Sequence, residues 1–462
     1  MRTMYSLFLS ASPAGVLLLL IWLVPAIDTG AAGVSPTIAQ RSDLSAAVHD
    51  RTGWSSEGLA RTQEPVIVAG DQLPLFDGAA LADLFVYAYA GAAWRQIPFQ
   101  LDEVDASGAY TVENGLLDAD DELVLMAMDL GDQVTAANWI TDTSSQSYLR
   151  YEIQVSDPLS PGQQGWAYVY RSATLSPALP ADYVSWDAAN QRLIGGTYSV
   201  GFDPAVHAAM DSMELNGSGV DALDRGKIRI EATCMVIIPI PLSLTEEDLA
   251  EYADYTPDID GPVRAGGGST DGSSWAYHSL YQSRFAINLA DLTPPPPCTA
   301  LTINQVRLSS DWLDPTITGM APATYYDNND EAGVAIDGVP DSVPSSPVTT
   351  WKQVSGGQGS IVQIVDVTMG AGQLSNYYRD DQTVDPDDTG DGQSFGDAGL
   401  VVDDPAGEVN AETLTFFLDP NQPNLGLTYQ SYYANPLEIV ATAQRCGPLH
   451  YVYLPLLEKD TP

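Results

Sequence analysis

The sequence predicts an all-β protein: an N-terminal β-sandwich followed by a larger β-sandwich or supersandwich region with few short helices. Three observations predict it. Runs of β-branched and aromatic residues recur at roughly ten-residue spacing. Several alternate strictly, as in Leu84, Val86 and Ala88 against Phe85, Tyr87 and Tyr89, or in Tyr151, Ile153 and Val155. Between the runs stand clusters drawn from 39 glycines and 32 prolines, the residues that turn a chain. At 462 residues the chain has room for two or three such domains.

Taken in order, the chain opens with Arg2 and the apolar run GVLLLLIWLVPAI (15–27), followed by the small residues Thr29, Gly30, Ala31, Ala32 and Gly33. This is the pattern of a signal peptide over 1–32. The run is short for a membrane span of about 20 residues, so the expectation is export without membrane insertion after cleavage, to an extracellular or cell-surface location. Residues 33–62, polar and without periodicity, read as a linker. The N-terminal sandwich spans 63–175, with strands PVIV, LFVYAYA, WRQIPFQL, ELVLMAM, YLRYEIQV and GWAYVYRS. A middle β-rich region covers 176–293. It holds RLIGGTYSVGF, KIRIEATCMVIIPI and SLYQSRFAINL, a helix from the capping box of TEEDLAEY (245–252), and a helical turn near 205–213. The prolines 294–297 open a C-terminal sandwich, 294–448, with an acidic loop, and 449–462 form a tail.

The formal net charge is -43, from 61 acidic against 18 basic residues. Such a surface repels nucleic acid and anionic membranes alike. Of the three cysteines, Cys234 sits in an apolar run and reads as a buried thiol. The remaining two, Cys298 and Cys446, then form the expected disulfide, tying a domain start to its end.

Chemistry by histidine is nearly excluded. His49, His207, His278 and His450 have no metal-ligand spacing, and no G-x-S-x-G, P-loop or dinucleotide fingerprint occurs. Carboxylates remain. The stretch NYYRDDQTVDPDDTGDGQSFGDAGLVVDD (376–404) gathers nine aspartates around one arginine. Its Asp387-x-Thr389-x-Asp391-Gly392 echoes the opening of a calcium loop, but Ala398 stands where an EF-hand needs its bidentate glutamate. Two readings stay open: a non-EF Ca²⁺ loop using Asp385, Asp387, Asp391 and Asp397, or a solvated acidic loop. A second cluster, Asp118, Asp120, Asp121 and Glu122, meets Asp102, Glu103 and Asp105 if their strands pair. A third, Asp327 to Glu331, reads as a turn.

The runs WRQIPFQLDEVD (94–105), LLDADDELVLMAMDLGD (116–132), DALDRGKIRI (221–230) and YYRDD…DTGDGQSFGDAG (377–399) resemble exported bacterial all-β proteins of unassigned role. Some of these accompany polysaccharide-degrading systems or share the supersandwich fold of polysaccharide lyases. The resemblance covers about a fifth of the chain, includes no catalytic motif, and implies carbohydrate as the ligand class.

The first functional expectation is therefore a non-catalytic exported or cell-surface protein. Its acidic loops would bind Ca²⁺, and its aromatic surface, including Tyr377, Tyr378 and Arg379, would hold a polysaccharide or cell-surface glycan. The alternative is a polysaccharide lyase or glycoside hydrolase. In it Asp380 or Asp381 would serve as acid or base, with Tyr378 and Arg379 beside them. A structural surface-layer component is the third reading.

Overall fold

The computed structural model describes residues 58–177, 181–203, 210–248, 257–268, 274–288 and 297–446. The expected signal segment, most of the expected linker and tail, and His49, His207 and His450 lie outside the described residues. The fold is all-β.

The alternating and apolar runs of the first region become β1 (Pro65–Ala69), β2 (Leu84–Ala90), β3 (Ala93–Gln96), β4 (Phe99–Asp102), β5 (Glu122–Met126), β6 (Leu149–Ser156) and β7 (Gln164–Arg171). The run WRQIPFQL breaks at Ile97-Pro98, so β3 and β4 enter different sheets. Proline cannot donate to a ladder, which makes it a natural place for a strand to leave one sheet for another. A three-stranded sheet, β1-β5-β4, packs on a five-stranded one whose order includes β6-β7-β2-β3. Val66, Val68, Leu123 and Leu125 meet Val86, Ala88, Ile153, Val155 and Val169 between them. The other face of β5 is also covered: Val124 and Met126 pack on Tyr183, Val263 and Leu280. Burial on both sides is why this strand reads as an unbroken apolar run rather than an alternating one.

The middle and C-terminal regions share one large sheet. β8 (Val184–Asp187), β9 (Arg192–Gly195), β10 (Tyr198–Phe202) and β11 (Met210–Leu215) form a separate four-stranded sheet. There Met210–Leu215 is extended, not the C-terminal part of a helical turn. The large sheet contains β12 (Leu223–Met235), β13 (Pro239–Thr245), β14 (Ile259–Asp260), β15 (Arg264–Gly268), β16 (Ser274–Ser279), β17 (Gln282–Asn288) and β18 (Ala300–Trp312). After helix α1 (Pro315–Thr318) it continues with β19 (Ala323–Asp327), β20 (Asp330–Ile336), β21 (Trp351–Ser355), β22 (Ser360–Asp381) and β23 (Ser394–Leu418). Because β12 pairs with β18 and β17 with β23, the sheet runs across position 294 without a break. Thr245 closes β13, residues 246–248 of the expected helix form a 3₁₀ turn with Thr245 N donating to Asp248 Oδ2 at 3.0 Å, and 249–252 lie outside the described residues.

Helix α2 (Gly426–Ala434) carries Tyr429, Tyr432 and Tyr433 and covers Trp351, Val362 and Phe416. Gly426 is required at its start, since a Cβ there would stand 1.8 Å from the Trp351 ring. The last described strand, β24 (Glu438–Arg445), leaves this region and pairs with β6 over its whole length. It completes the first sandwich.

The disulfide joins Cys234 to Cys298, with Cα atoms 5.3 Å apart, and Cys446 is an exposed free thiol. The expected Cys298–Cys446 pair is thus corrected. Cys234 lies on β12 opposite Leu301 of β18, which brings Cys298, just before that strand, to its side. Cys446 follows β24 into the first sandwich instead.

Candidate functional site: the acidic hairpin tip and the charged sheet face

Most of the acidic stretch is strand. β22 and β23 pair from Ser360↔Leu418 to Asp381↔Ser394, so only residues 382–393 form a loop, the tip of one long hairpin. Asp385 N donates to Gly392 O at 2.7 Å and closes that tip. It then folds back over β12: Asp391 N donates to Asp224 Oδ1 at 2.9 Å. Gly390, at φ +72°, allows the approach, since a Cβ there would lie 2.0 Å from Asp224 Oδ2.

Alternation along four neighbouring strands sorts their residues. Ile228, Ile230, Val306, Leu308, Val402 and Leu374 join an apolar cluster. Arg225, Lys227, Arg229, Arg307, Asp311 and Asp397 occupy the intervening positions, where Lys227 meets both Asp311 and Asp397 electrostatically. Tyr377 and Arg379 belong to the same side, with Arg379 opposite Asp397 in the ladder.

The tip's carboxylates are met by the chain's own cations. Lys227 Nζ donates to Asp311 Oδ2 at 2.6 Å and to Asp388 Oδ2 at 3.0 Å, with the Lys227 and Asp311 side chains wholly buried. Arg229 reaches Asp388 at 2.8 Å and also pairs with Glu246, while Thr389 donates to Glu246 at 2.5 Å. Burial pushes the Asp388 carboxyl up, but the Lys227 and Arg229 hydrogen bonds outweigh it and hold it down at about 2. Asp311 goes the other way, raised by burial and by the nearby Asp397. Asp397 is fully buried, and neither of its oxygens has a hydrogen-bond partner among the described residues. On its other flank Lys352, buried as well, donates to Ala398 O at 2.5 Å; burial pushes its amine down to about 8, against the pull of Asp397. Two of the chain's three lysines therefore act on this one carboxylate.

The predicted site residues separate into two groups. Tyr378 and Asp380 point into the core side. Tyr378 packs on Tyr325 with ring centroids 4.7 Å apart, and its buried hydroxyl has no partner among the described residues. Asp380 is 1 % exposed and accepts the backbone N–H groups of Asp337, Gly338 and Gly396 at 3.0–3.2 Å. It is a turn-holding carboxylate. Tyr377, Arg379 and Asp381 face the other way, toward the tip. The Arg307 guanidinium lies 4.2 Å from the Tyr377 ring centre, and Arg379 stands 3.6 Å from Asp385 and 3.9 Å from Asp381. Burial and Asp397 together raise the Tyr377 hydroxyl to about 12.

The four carboxylates expected around Ca²⁺ are not gathered together. Asp387 and Asp391 are exposed on the tip, Asp385 faces Arg379, and Asp397 is buried on β23. Among the described residues no group of three His, Cys, Asp or Glu side chains is arranged to hold a metal ion. Asp224 Oδ2, beside Asp391, is buried without a partner among the described residues; burial and Asp391 raise that carboxyl to about 6.

In the second acidic cluster β4 and β5 do pair, with Asp102 opposite Glu122. Arg264 Nη2 sits between the two at 2.7 and 2.6 Å. The third cluster is a turn: Asp327 Oδ1 accepts the N–H groups of Asn329 and Asp330. His278 is buried against Tyr198, and burial pushes its imidazole down to about 3.

Sequence reasoning missed Lys227, Arg229, Asp311, Asp224 and Glu246. The usable signal was the scarcity of lysine, set within an alternating run of the pattern Arg-x-Lys-x-Arg (225–229). No family model matches the chain, and no curated protein matches it.

Proposed function

We propose that this is an exported, non-catalytic surface protein that holds a saccharide on its aromatic and arginine-bearing sheet faces, with its acidic tip serving stability. The carrying observation is the employment of the candidate acid–base residues. Asp380 is fully engaged by three backbone N–H groups, and Tyr378 is packed inward. Of the two candidate acids only Asp381 still faces outward, beside the Arg379 guanidinium and on the same side as the Tyr377 ring, an arrangement that suits holding a ligand better than cleaving one. Calcium belongs to the proposal at Asp224 and Asp391, where an unpartnered carboxylate oxygen and an exposed one adjoin the backbone of a glycine-rich turn.

The test is a panel of neutral and uronate polysaccharides incubated with the purified protein, in Ca²⁺ and in chelator, scoring retained protein and released oligosaccharide together. Retention without product is expected. Calcium-dependent product on any polymer would replace this reading with that of a polysaccharide-active enzyme.

A further inference from the structure

A row of rings and guanidinium groups crosses the far end of the large sheet, away from the acidic tip. Trp275 and Tyr277 stand two residues apart on β16, hence on one face, with ring centroids 5.2 Å apart. Tyr110, from the loop after β4, adds a third ring 5.2 Å from Tyr277. On the other flank Arg284 of β17 lies 5.5 Å from the Trp275 ring centre and donates to Glu412 of β23 at 2.7 Å. Tyr433 of α2 continues the row, donating to Asp366 at 3.3 Å. All four rings are part-exposed, and the Arg284 side chain is 51 % exposed.

The sequence placed the saccharide face at Tyr377, but that ring lies beneath Arg307 in a region crowded with buried charge. We propose instead that the Tyr110–Tyr277–Trp275–Arg284 row binds a neutral polysaccharide chain, an inference that rests on the saccharide-holding function proposed above. A pyranose presents C–H faces above and below and hydroxyls around its rim. Part-exposed rings in a row offer successive apolar platforms for such faces. The Arg284–Glu412 and Tyr433–Asp366 pairs alongside offer donors and acceptors to the hydroxyls. Charge balance selects the neutral polymer. Arg284 is paired with Glu412, Arg264 beneath Tyr110 and Tyr277 is paired with Asp102 and Glu122, and Asp366 is exposed. No excess positive charge is left in the row to attract a uronate, and the net charge of -43 repels one.

The experiment is a binding titration of the purified protein with a soluble β-glucan, a soluble xylan and polygalacturonate, comparing wild type, Trp275→Ala, Arg284→Gln and Tyr377→Ala. Melting curves accompany each variant; Arg284→Gln, at an exposed position, guards against a misfolded Trp275→Ala. The expected result is saturable binding of a neutral polymer, weakened about tenfold or more by Trp275→Ala, weakened by Arg284→Gln, and unchanged by Tyr377→Ala. Neutral-polymer binding that survives both Trp275→Ala and Arg284→Gln would overturn the row while leaving a saccharide-holding protein. Preference for polygalacturonate would overturn the neutral assignment. Binding of none of the three polymers overturns the saccharide reading itself.

Discussion

Replacing Lys227 by methionine removes the cation shared by Asp311 and Asp388 while keeping most of the apolar stem. The lysine and Asp311 are both wholly buried at 2.6 Å, so the substitution leaves a buried carboxylate with no counter-charge, held only by the backbone N–H groups of Trp312 and Phe395. Removing one member of a buried pair costs about 3–5 kcal/mol. Two charge-assisted hydrogen bonds at about 1.5–3 kcal/mol each arrive at a similar figure. Asp397 sharpens the effect, because it lies near enough to raise Asp311 even with the lysine present. Without Lys227 the cheapest response is for Asp311 to take up a proton. The deficit should therefore shrink by more than half between about pH 7.5 and pH 5. Urea unfolding followed by tryptophan fluorescence at both pH values measures this, and hydrogen exchange over residues 382–393 reports whether the tip has lifted. The double variant Lys227→Met/Asp311→Leu should recover most of the loss, since an apolar pair of similar volume replaces a buried ionic one. A single variant within about 1 kcal/mol of wild type, its tip amides still protected, would refute the idea that this cluster clamps the hairpin.

Other expectations follow from the same geometry. Asp224 has its folded-state carboxyl raised to about 6, so between about pH 4 and pH 6 the folded chain binds more protons than the unfolded one. Its contribution, about 1–3 kcal/mol, is present at low pH and lost as pH rises through 6. Asp388, held at about 2, contributes in the opposite sense below about pH 4. Melting temperature should peak near pH 4–5, and Asp224→Asn should flatten the fall on the alkaline side; a maximum at pH 7–8 contradicts this. Asp380→Ala should abandon three backbone N–H groups and cost about 3 kcal/mol or more in urea unfolding. Peptide mapping without reductant should find Cys234 linked to Cys298 and Cys446 alone alkylated. Opening that 64-residue loop should destabilise by about 4 kcal/mol in a Cys298→Ser variant. If Asp224 and Asp391 hold calcium, chelator should lower the melting temperature of wild type and leave Asp224→Asn unmoved.

Local signals in the sequence were faithful and long-range ones were not. LFVYAYA became β2 residue for residue, and YLRYEIQV became β6 with a shift of one. Alternation is a property of a strand alone, so it survives without knowledge of the partner. Pairing is not. Nothing in LEIVATA says that it returns to β6, and nothing in the spacing of Cys234, Cys298 and Cys446 ranks the three pairings. The acidic stretch shows the same limit. Its Gly and Asp content suggested a loop from 376 to 404, yet β22 and β23 extend through most of it. Ladder hydrogen bonds and the apolar face of Tyr378, Phe395 and Ala398 outweigh the weak local preference of aspartate for turns. Which carboxylates would be neutralised by Lys227 and Arg229 depended on the tip folding back more than 150 positions in sequence, a contact with no local signature.

The return of β24 to β6 sets a timetable. Synthesis delivers the first sandwich's core strands early, yet β6 must wait with one edge unpaired until nearly the whole described chain has followed. An open strand edge is a hazard throughout that interval, both for pairing with other chains and for attack by proteases. Copies cut short anywhere before residue 438 would leave that edge permanently exposed. The last described strand thus acts as a check on synthesis: only a chain that has reached β24 can close the structure that its first strands began.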